Sequence, residues 1–211
     1  MKLYYSPGAC SLAPHIALSE SGLPYSTKIV DLKKHALADG TDYYTINPKG
    51  YVPLLELDDG EHLSEVAVIL QYIADRKPGT LAPAFGSMER YRLMEWLNFI
   101  ATEIHKQFSP LWYPTTPELT KEAQRKKLAS RFDLVAKTLA AQPYLMGDTF
   151  TVADAYLFTM LNWAPMLKFD LAPWPTLVAF QARVAARPAV HAVLVAEGLV
   201  KRAHATDKAT A

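Results

Sequence analysis

The apolar positions of this chain follow two rhythms. Over residues 1–80 the pattern switches between strand-like and helical spacing; beyond residue 87 it stays helical. Lys2–Tyr5 reads as a first strand, and Ser6-Pro7-Gly8 as a turn. Leu12, Ala13, Ile16 and Ala17 then recur at helical spacing up to Gly22, a residue type favoured just past a helix end. Tyr25–Val30 is a second strand, rich in residues that suit a pleated surface. An irregular stretch from Asp31 leads to the turn cluster Asn47-Pro48-Lys49-Gly50. Val52–Leu57 and Glu61–Leu63 flank Asp58-Asp59-Gly60, a strong hairpin signal. Ser64 is placed to cap a helix that runs to about Arg76 and stops at Lys77-Pro78-Gly79. The order β-α-β, connector, β-β-α predicts a sheet whose first two strands are parallel and last two antiparallel. Pro53 cannot donate to a ladder, so it belongs at a strand start, an edge or a bend.

Residues 81–87 read as a linker, and nothing after them resembles a strand. Helices are expected over Ser87 to about Gln107, over Thr120–Ala141, over Ala155–Leu161, and from Pro175 and Pro188, with Gly198 ending the last. Thr151 with Asp154 three positions on forms a capping box, which explains Asp154 without a catalytic role. The division is therefore an α/β domain over 1–80, an all-helical domain over 88–203 and a small-residue tail over 204–211.

Composition narrows the function. Half of the 211 residues are apolar, a fifth are charged and the net charge is +1, so the basic signature of a nucleic-acid binder is absent. No apolar run is long enough to cross a bilayer, and the first residues lack a secretory leader pattern. A cytoplasmic protein is expected. One cysteine excludes an internal disulfide, and histidines at 15, 35, 62, 105, 191 and 204 show no metal-ligand spacing.

Two places carry candidate chemistry. Cys10 falls at the expected start of the first helix, where free N–H groups and the helix dipole favour a thiolate; the competing reading is a small packing thiol. Asn98, Thr102, His105 and Ser109 fall at i, i+4, i+7 and i+11, one face of an α-helix, while Leu93, Leu97, Ile100 and Ile104 fall on a core face. Short hydrogen-bonding residues with one histidine suit a polar cleft, and His105 suits donation to a thiolate or proton movement.

With these pieces in order, the chain resembles a cytosolic glutathione S-transferase, most closely of the bacterial beta class, along nearly its whole length. The matching motifs are Lys2-Leu-Tyr-Tyr-Ser-Pro-Gly-Ala-Cys10-Ser11, Ile46-Asn-Pro-Lys-Gly-Tyr-Val-Pro53, Ser64-Glu65, Leu97-Asn98, Glu103-Ile-His105-Lys106 and Gly147-Asp-Thr-Phe-Thr-Val-Ala-Asp154. The resemblance implies a thioredoxin-like N-terminal domain, an all-helical C-terminal domain and a homodimer. It implies that Cys10 lies beside the glutathione sulfur, that Val52 precedes a cis proline (Pro53) and pairs with the cysteinyl backbone, and that Glu65 and the N–H after it, on Val66, hold the γ-glutamyl end. It brings His105 and Lys106 to the sulfur and the glycine end, adds Asn98 to the site, and sends Glu103 across the dimer. Two positions depart from the pattern: Val66 stands where a small or hydroxyl residue is frequent, and His35 where a lysine reaches the glycine carboxylate.

The resulting expectation is an enzyme, a glutathione transferase joining the glutathione thiolate to a small hydrophobic electrophile. Glutathione is its co-substrate, with no metal, and glutathione-dependent thiol-disulfide or peroxidase chemistry through Cys10 is a further option. Ser11 and His105 are the expected helpers to the sulfur, with Tyr5 as a local alternative. Trp112, Tyr113, Trp163 and Met166 are candidates for the electrophile's wall, although bulky residues in a helical domain are most often core. The rival reading is a non-catalytic protein of the same fold that binds glutathione or a hydrophobic ligand.

Overall fold

Leu3, Tyr4 and Tyr5 are all buried, and this makes their strand the centre of the sheet. In the computed structural model, which describes residues 1–201, β1 (Lys2–Tyr5) lies between β2 (Ser26–Asp31), parallel to it, and β4 (Leu54–Glu56), antiparallel. β3 (Ala36–Leu37) adds to β2 and β5 (His62–Ser64) to β4, giving the order β3-β2-β1-β4-β5. The expected parallel and antiparallel pairings are both present. β3, two residues long, was not foreseen; so short a strand has no period to read.

Alternation along β1 decides which face meets which core. Leu3 and Tyr5 join Leu55, α1 (Leu12–Ser21) and α2 (Val66–Arg76) in the large core, whereas Tyr4 joins Val30, Tyr43, Val52 and Leu54 in a small cluster on the other face. The large core continues without a break into the helical half: α3 (Met88–Phe99), α4 (Lys106–Trp112), α5 (Glu118–Ala141), α6 (Val152–Leu161), α7 (Trp163–Met166), α8 (Pro175–Ala185) and α9 (Pro188–Ala196). α1 packs against α2, α6 and α9. No strand occurs after Ser64 among the described residues. The tail from residue 204 lies outside the described residues, as does the end of the expected 88–203 segment.

Three local expectations change. Ser64 does not cap α2; it ends β5 opposite Leu54, and Glu65 (φ 71°) makes the turn into the helix. The expected single helix from Ser87 to Gln107 is α3 and α4 joined by a π-helical turn over Ile100–His105, with Gln107 Nε2 donating to the Thr102 carbonyl at 2.9 Å. Four-residue α7 was missed, because one turn carries no pattern. Lys2–Tyr5, Gly22, Pro175 and Pro188 behave as expected: the first forms β1, Gly22 closes α1 in the left-handed region, and both prolines open helices.

Asp154 is completely buried at the start of α6. Its Oδ2 accepts from Thr151 N–H at 2.8 Å and Thr151 Oγ1 at 2.9 Å, and its Oδ1 from Leu145 N–H at 2.8 Å. Burial pushes the carboxyl up to about 6 against these donors. Asp154→Ala leaves the buried donors unpaired. It is expected to cost about 2–3 kcal/mol in urea unfolding, from the lost cap and the unmet N–H groups.

Candidate active site

A cleft of about 600 Å³ opens between the strand-containing half and the helices. Ser6, Pro7, Gly8, Ala9 and Cys10 form its floor, Val52, Pro53, Glu65 and Val66 one wall, and His105, Lys106, Ser109, Trp112, Tyr113, Tyr156, Trp163 and Met166 the other. The sequence therefore brings Cys10, Val52, Pro53, Glu65, Val66, His105 and Lys106 to one place, together with all four aromatic and thioether wall candidates.

Cys10 sits two residues before α1, partly exposed to the cleft. Its Sγ–H donates to the Val52 carbonyl at 3.2 Å, and the Val52–Pro53 peptide is cis. Burial pushes the thiol up to about 12; the N–H groups of Cys10 and Ser11 and the Lys106 ammonium pull the other way, and Glu65 adds to the rise. This favours the packing-thiol alternative over the thiolate. Helix-start N–H groups are present, but the desolvation of a charged sulfur outweighs them.

Ser11 is a second correction. Its side chain is fully buried and absent from the cleft. Its Oγ accepts from Ser6 N–H at 3.1 Å and donates to the Ser6 carbonyl at 3.2 Å, so it closes the loop under Cys10 instead of facing a ligand. Tyr5 is also turned away, packed against the His15 ring with centroids 5.2 Å apart.

His105 Nδ1 is 2.8 Å from the Tyr156 hydroxyl, and its ring meets Trp163 edge-on at 5.1 Å. Burial, together with neighbouring Lys106, lowers it to about 4, with Glu65 opposing, so the imidazole is neutral at physiological pH. Lys106 is exposed at the rim. Across the cleft, Lys49 Nζ donates to Ser64 Oγ and to Glu65 Oε1, each at 2.9 Å. Val66 N–H and Ala67 N–H open α2 beside Glu65, where the first N–H groups of a helix lack intrahelical acceptors.

The polar stripe expected on the first long helix is split. His105 and Ser109 face the cleft with Ala101 and Lys106, but Asn98 and Thr102 do not line it. Thr102 Oγ1 bonds instead to the Asn98 carbonyl at 3.0 Å. The π turn adds a residue to the repeat and rotates the residues beyond it by about 100° relative to an unbroken α-helix. Glu103 is also outside the cleft, paired with Arg131 at 2.7 Å in its own chain. His35 is outside as well: its φ is 50°, its Nδ1 lies 3.2 Å from the Gly50 carbonyl, and its ring stacks near Tyr44 at 4.6 Å. Gly50 is required there, since a Cβ would stand 2.5 Å from the Tyr44 ring.

Trp163 is buried and donates Nε1–H to the Gly8 carbonyl at 2.8 Å. Trp112, Tyr113 and Met166 are 40%, 63% and 59% exposed, so they are cleft rim and not core. Sequence reasoning missed Lys49, Leu32, Tyr51 and Tyr156 as lining residues. Only Tyr156 had a readable signal, a lone phenol in a stretch that is otherwise nearly all apolar. Among the described residues no cluster of ligating side chains could hold a metal. No helix among them is long and apolar enough to cross a membrane.

The raised thiol and the lowered imidazole can each be measured. Cys10 is expected to react with iodoacetamide at pH 7.5 at least about a hundredfold slower than a free cysteine, with the rate still rising above pH 10, because its thiolate fraction is so small. His105 stays neutral in the fold while the unfolded chain protonates near 6.5. Stability then falls by up to about 1.4 kcal/mol per pH unit from about 6.5 down to about 4. His105→Asn is expected to flatten that part of the stability–pH curve.

Residues 8–76 match the family model described as "Glutathione S-transferase, N-terminal domain", and residues 99–188 the "Glutathione S-transferase, C-terminal domain". Glutathione S-transferase GstA of Escherichia coli O157:H7 is 49% identical over 201 residues, 94% of this chain and all of the relative. Glutathione S-transferase GST-4.5 of Xanthomonas campestris pv. campestris is 40% identical over 207 residues, again 94% of this chain and all of the relative. The bacterial transferase BphK, solved as a ternary complex, superposes with a TM-score of 0.92 at 55% identity over 94% of this chain and all of that one. A sphingomonad glutathione S-transferase complexed with glutathione superposes at 0.91 with 47% identity over 95% of this chain and all of that one. With both halves matched in order and relatives of this identity aligned end to end, the chain belongs to the glutathione S-transferase family.

Proposed function

We infer that the protein is a glutathione transferase that joins the sulfur of glutathione to a small apolar electrophile. The observation that carries this is the cleft's two-sided chemistry: charged and backbone groups suited to a zwitterionic peptide on one side, and an aromatic, solvent-open wall on the other. Glutathione has two carboxylates and one ammonium. Glu65 suits the ammonium, and the N–H groups at the start of α2 suit the neighbouring carboxylate. Lys106 is a cation for the glycine end, and Lys49, now paired with Glu65, is a second.

The Cys10–Val52 bond suggests how the sulfur is handled. A cysteinyl N–H arriving at the Val52 carbonyl would take over the bond that Cys10 now makes. Cys10 S–H is then free to donate to the glutathione sulfur. The N–H groups of Cys10 and Ser11 and neutral His105 add further donors, and together they favour the thiolate. The glutathione proton leaves to solvent, the sulfur attacks the electrophilic carbon, the S–C bond forms and the leaving group departs. Because the Cys10 thiol is pushed up to about 12, conjugation through glutathione's own sulfur is favoured over thiol-disulfide turnover through Cys10.

Trp112, Tyr113, Trp163 and Met166 would hold the electrophile, and a helical segment over 88–203 would supply that pocket to a glutathione-binding segment over 1–80. A homodimer fits the large apolar side chains exposed on the single chain, Val68 on α2 and Met88, Tyr91 and Met94 on α3. The Glu103–Arg131 pair argues against Glu103 acting across that dimer unless the pair opens. A cytoplasmic site of action fits glutathione as co-substrate.

Calorimetric titration with reduced glutathione is expected to show one site per chain, and Glu65→Gln to weaken it at least about tenfold through loss of a charge-assisted bond. Cys10→Ala is expected to keep glutathione binding and to lower kcat for an activated haloarene by no more than about tenfold, the scale of one lost donor among several. Absence of saturable binding at millimolar glutathione would remove this reading.

A further inference from the structure

Tyr156 sits on α6, in a helix whose neighbouring side chains are apolar and buried, and only 1% of its surface is exposed. Burial, with Cys10 and Glu65 nearby, raises its phenol, so the hydroxyl keeps its proton. That proton has one described acceptor, His105 Nδ1 at 2.8 Å. If Nδ1 carried the imidazole proton instead, it would donate to the phenol oxygen, and the phenol proton would lose its one described acceptor, leaving only the cleft, which the almost wholly buried phenol scarcely reaches. The satisfied arrangement has Tyr156 O–H donating to Nδ1, which places the imidazole proton on Nε2. His105 Nε2 has no partner among the described residues, yet the one fully buried, unpartnered side-chain polar atom among them is Arg90 Nε. Nε2 therefore keeps access to the cleft that His105 lines.

We propose that Tyr156 is a positioning residue: it holds neutral His105 as the Nε2–H tautomer and so supplies a fixed donor aimed into the cleft. The proposal deepens, and for its catalytic consequence rests on, the glutathione transferase reading. A buried neutral imidazole left to itself populates either tautomer, and only one presents a donor at the cleft-side nitrogen. Trp163, edge-on at 5.1 Å, limits the ring's rotation while its own N–H is engaged at Gly8. The charged and titratable groups around the imidazole are Lys106 next to it, Glu65 and Cys10 across the cleft, and Tyr156 itself. None of the others is a described hydrogen-bond partner of its ring.

The test is nitrogen-15 correlation spectroscopy of the imidazoles in the full-length protein at neutral pH, with His105 assigned by comparison with His105→Asn. A protonated Nε2 and a bare, hydrogen-bonded Nδ1 are expected. In Tyr156→Phe the same signals should move toward a mixture of tautomers, with kcat for an activated haloarene falling about tenfold, the scale of one lost hydrogen bond, and KM for glutathione within about twofold. A proton on Nδ1 in the unaltered protein overturns the proposal, and this needs no variant to fold and no ligand to bind. A folded Tyr156→Phe protein that keeps the Nε2–H tautomer and its kcat also overturns it. If the tautomer and its shift are as expected but glutathione does not bind, the proposal on His105 stands and the transferase reading fails.

Discussion

The loop that carries Cys10 is held by groups it does not itself contain. Gly8 N–H donates to Glu197 Oε2 at 2.8 Å, and Gly8 C=O accepts from Trp163 Nε1 at 2.8 Å. Glu197, just beyond α9, is buried, and its other oxygen lies 2.7 Å from His15 Nδ1 on α1. Both backbone groups of one loop residue are thus satisfied by side chains from the helical half. A polar backbone group left unpaired in this position would carry a desolvation cost, so the loop conformation and the seating of the helices are mutually dependent. Ser11 closes the same loop from within. This clamp ties the floor of the cleft to its helical wall.

Low polarity is the second property on which the site depends. The burial that raises the Cys10 thiol also lowers the His105 imidazole and raises the Tyr156 phenol, favouring the uncharged form of each. What remains around the Cys10 sulfur is a set of neutral donors, with ammonium groups of Lys49 and Lys106 and the carboxylate of Glu65 farther out. On the proposed transferase reading, such a site holds no charge of its own beside the reacting sulfur. It is suited to stabilise a charge that a ligand brings, since preorganised donors in a desolvated setting act more strongly than they do in water. On the same reading, a thiolate on Cys10 would compete for those donors.

Much of the first half was legible because its signals are local. The turn at Ser6-Pro7-Gly8, the Asp58-Asp59-Gly60 hairpin and the glycine after α1 each act through backbone preferences that a residue carries with it. The capping box at Thr151 and Asp154 is local in the same sense. The site was legible in part for a different reason: the motifs around Cys10, Val52-Pro53, Glu65 and His105-Lys106 are those of a known family. What failed were inferences that extended a local rule through space. The stripe from Asn98 to Ser109 assumed an unbroken α-helix, and the π turn at Ile100–His105 broke its phase. Ser64 was assigned to a helix start when its ladder with Leu54 claimed it for β5.

Read residue by residue, the chain discloses its strand–helix order, the pairing sense of its sheet, a run of helices and no named strand among the described residues after 87, and the family to which its motifs point. Each of these comes from periodicity, turn chemistry or motif order along the chain. It takes the folded molecule to place Cys10 where burial raises its thiol, to turn Ser11 and Tyr5 away from the cleft, to pair His105 with Tyr156, and to engage Glu103 with Arg131. These are questions of burial and of partners between 5 and 51 positions apart in the chain, with Cys10 and Val52 separated by 42. Desolvation and hydrogen-bond pairing depend on what the fold brings alongside a group, and no spacing along the chain encodes that directly.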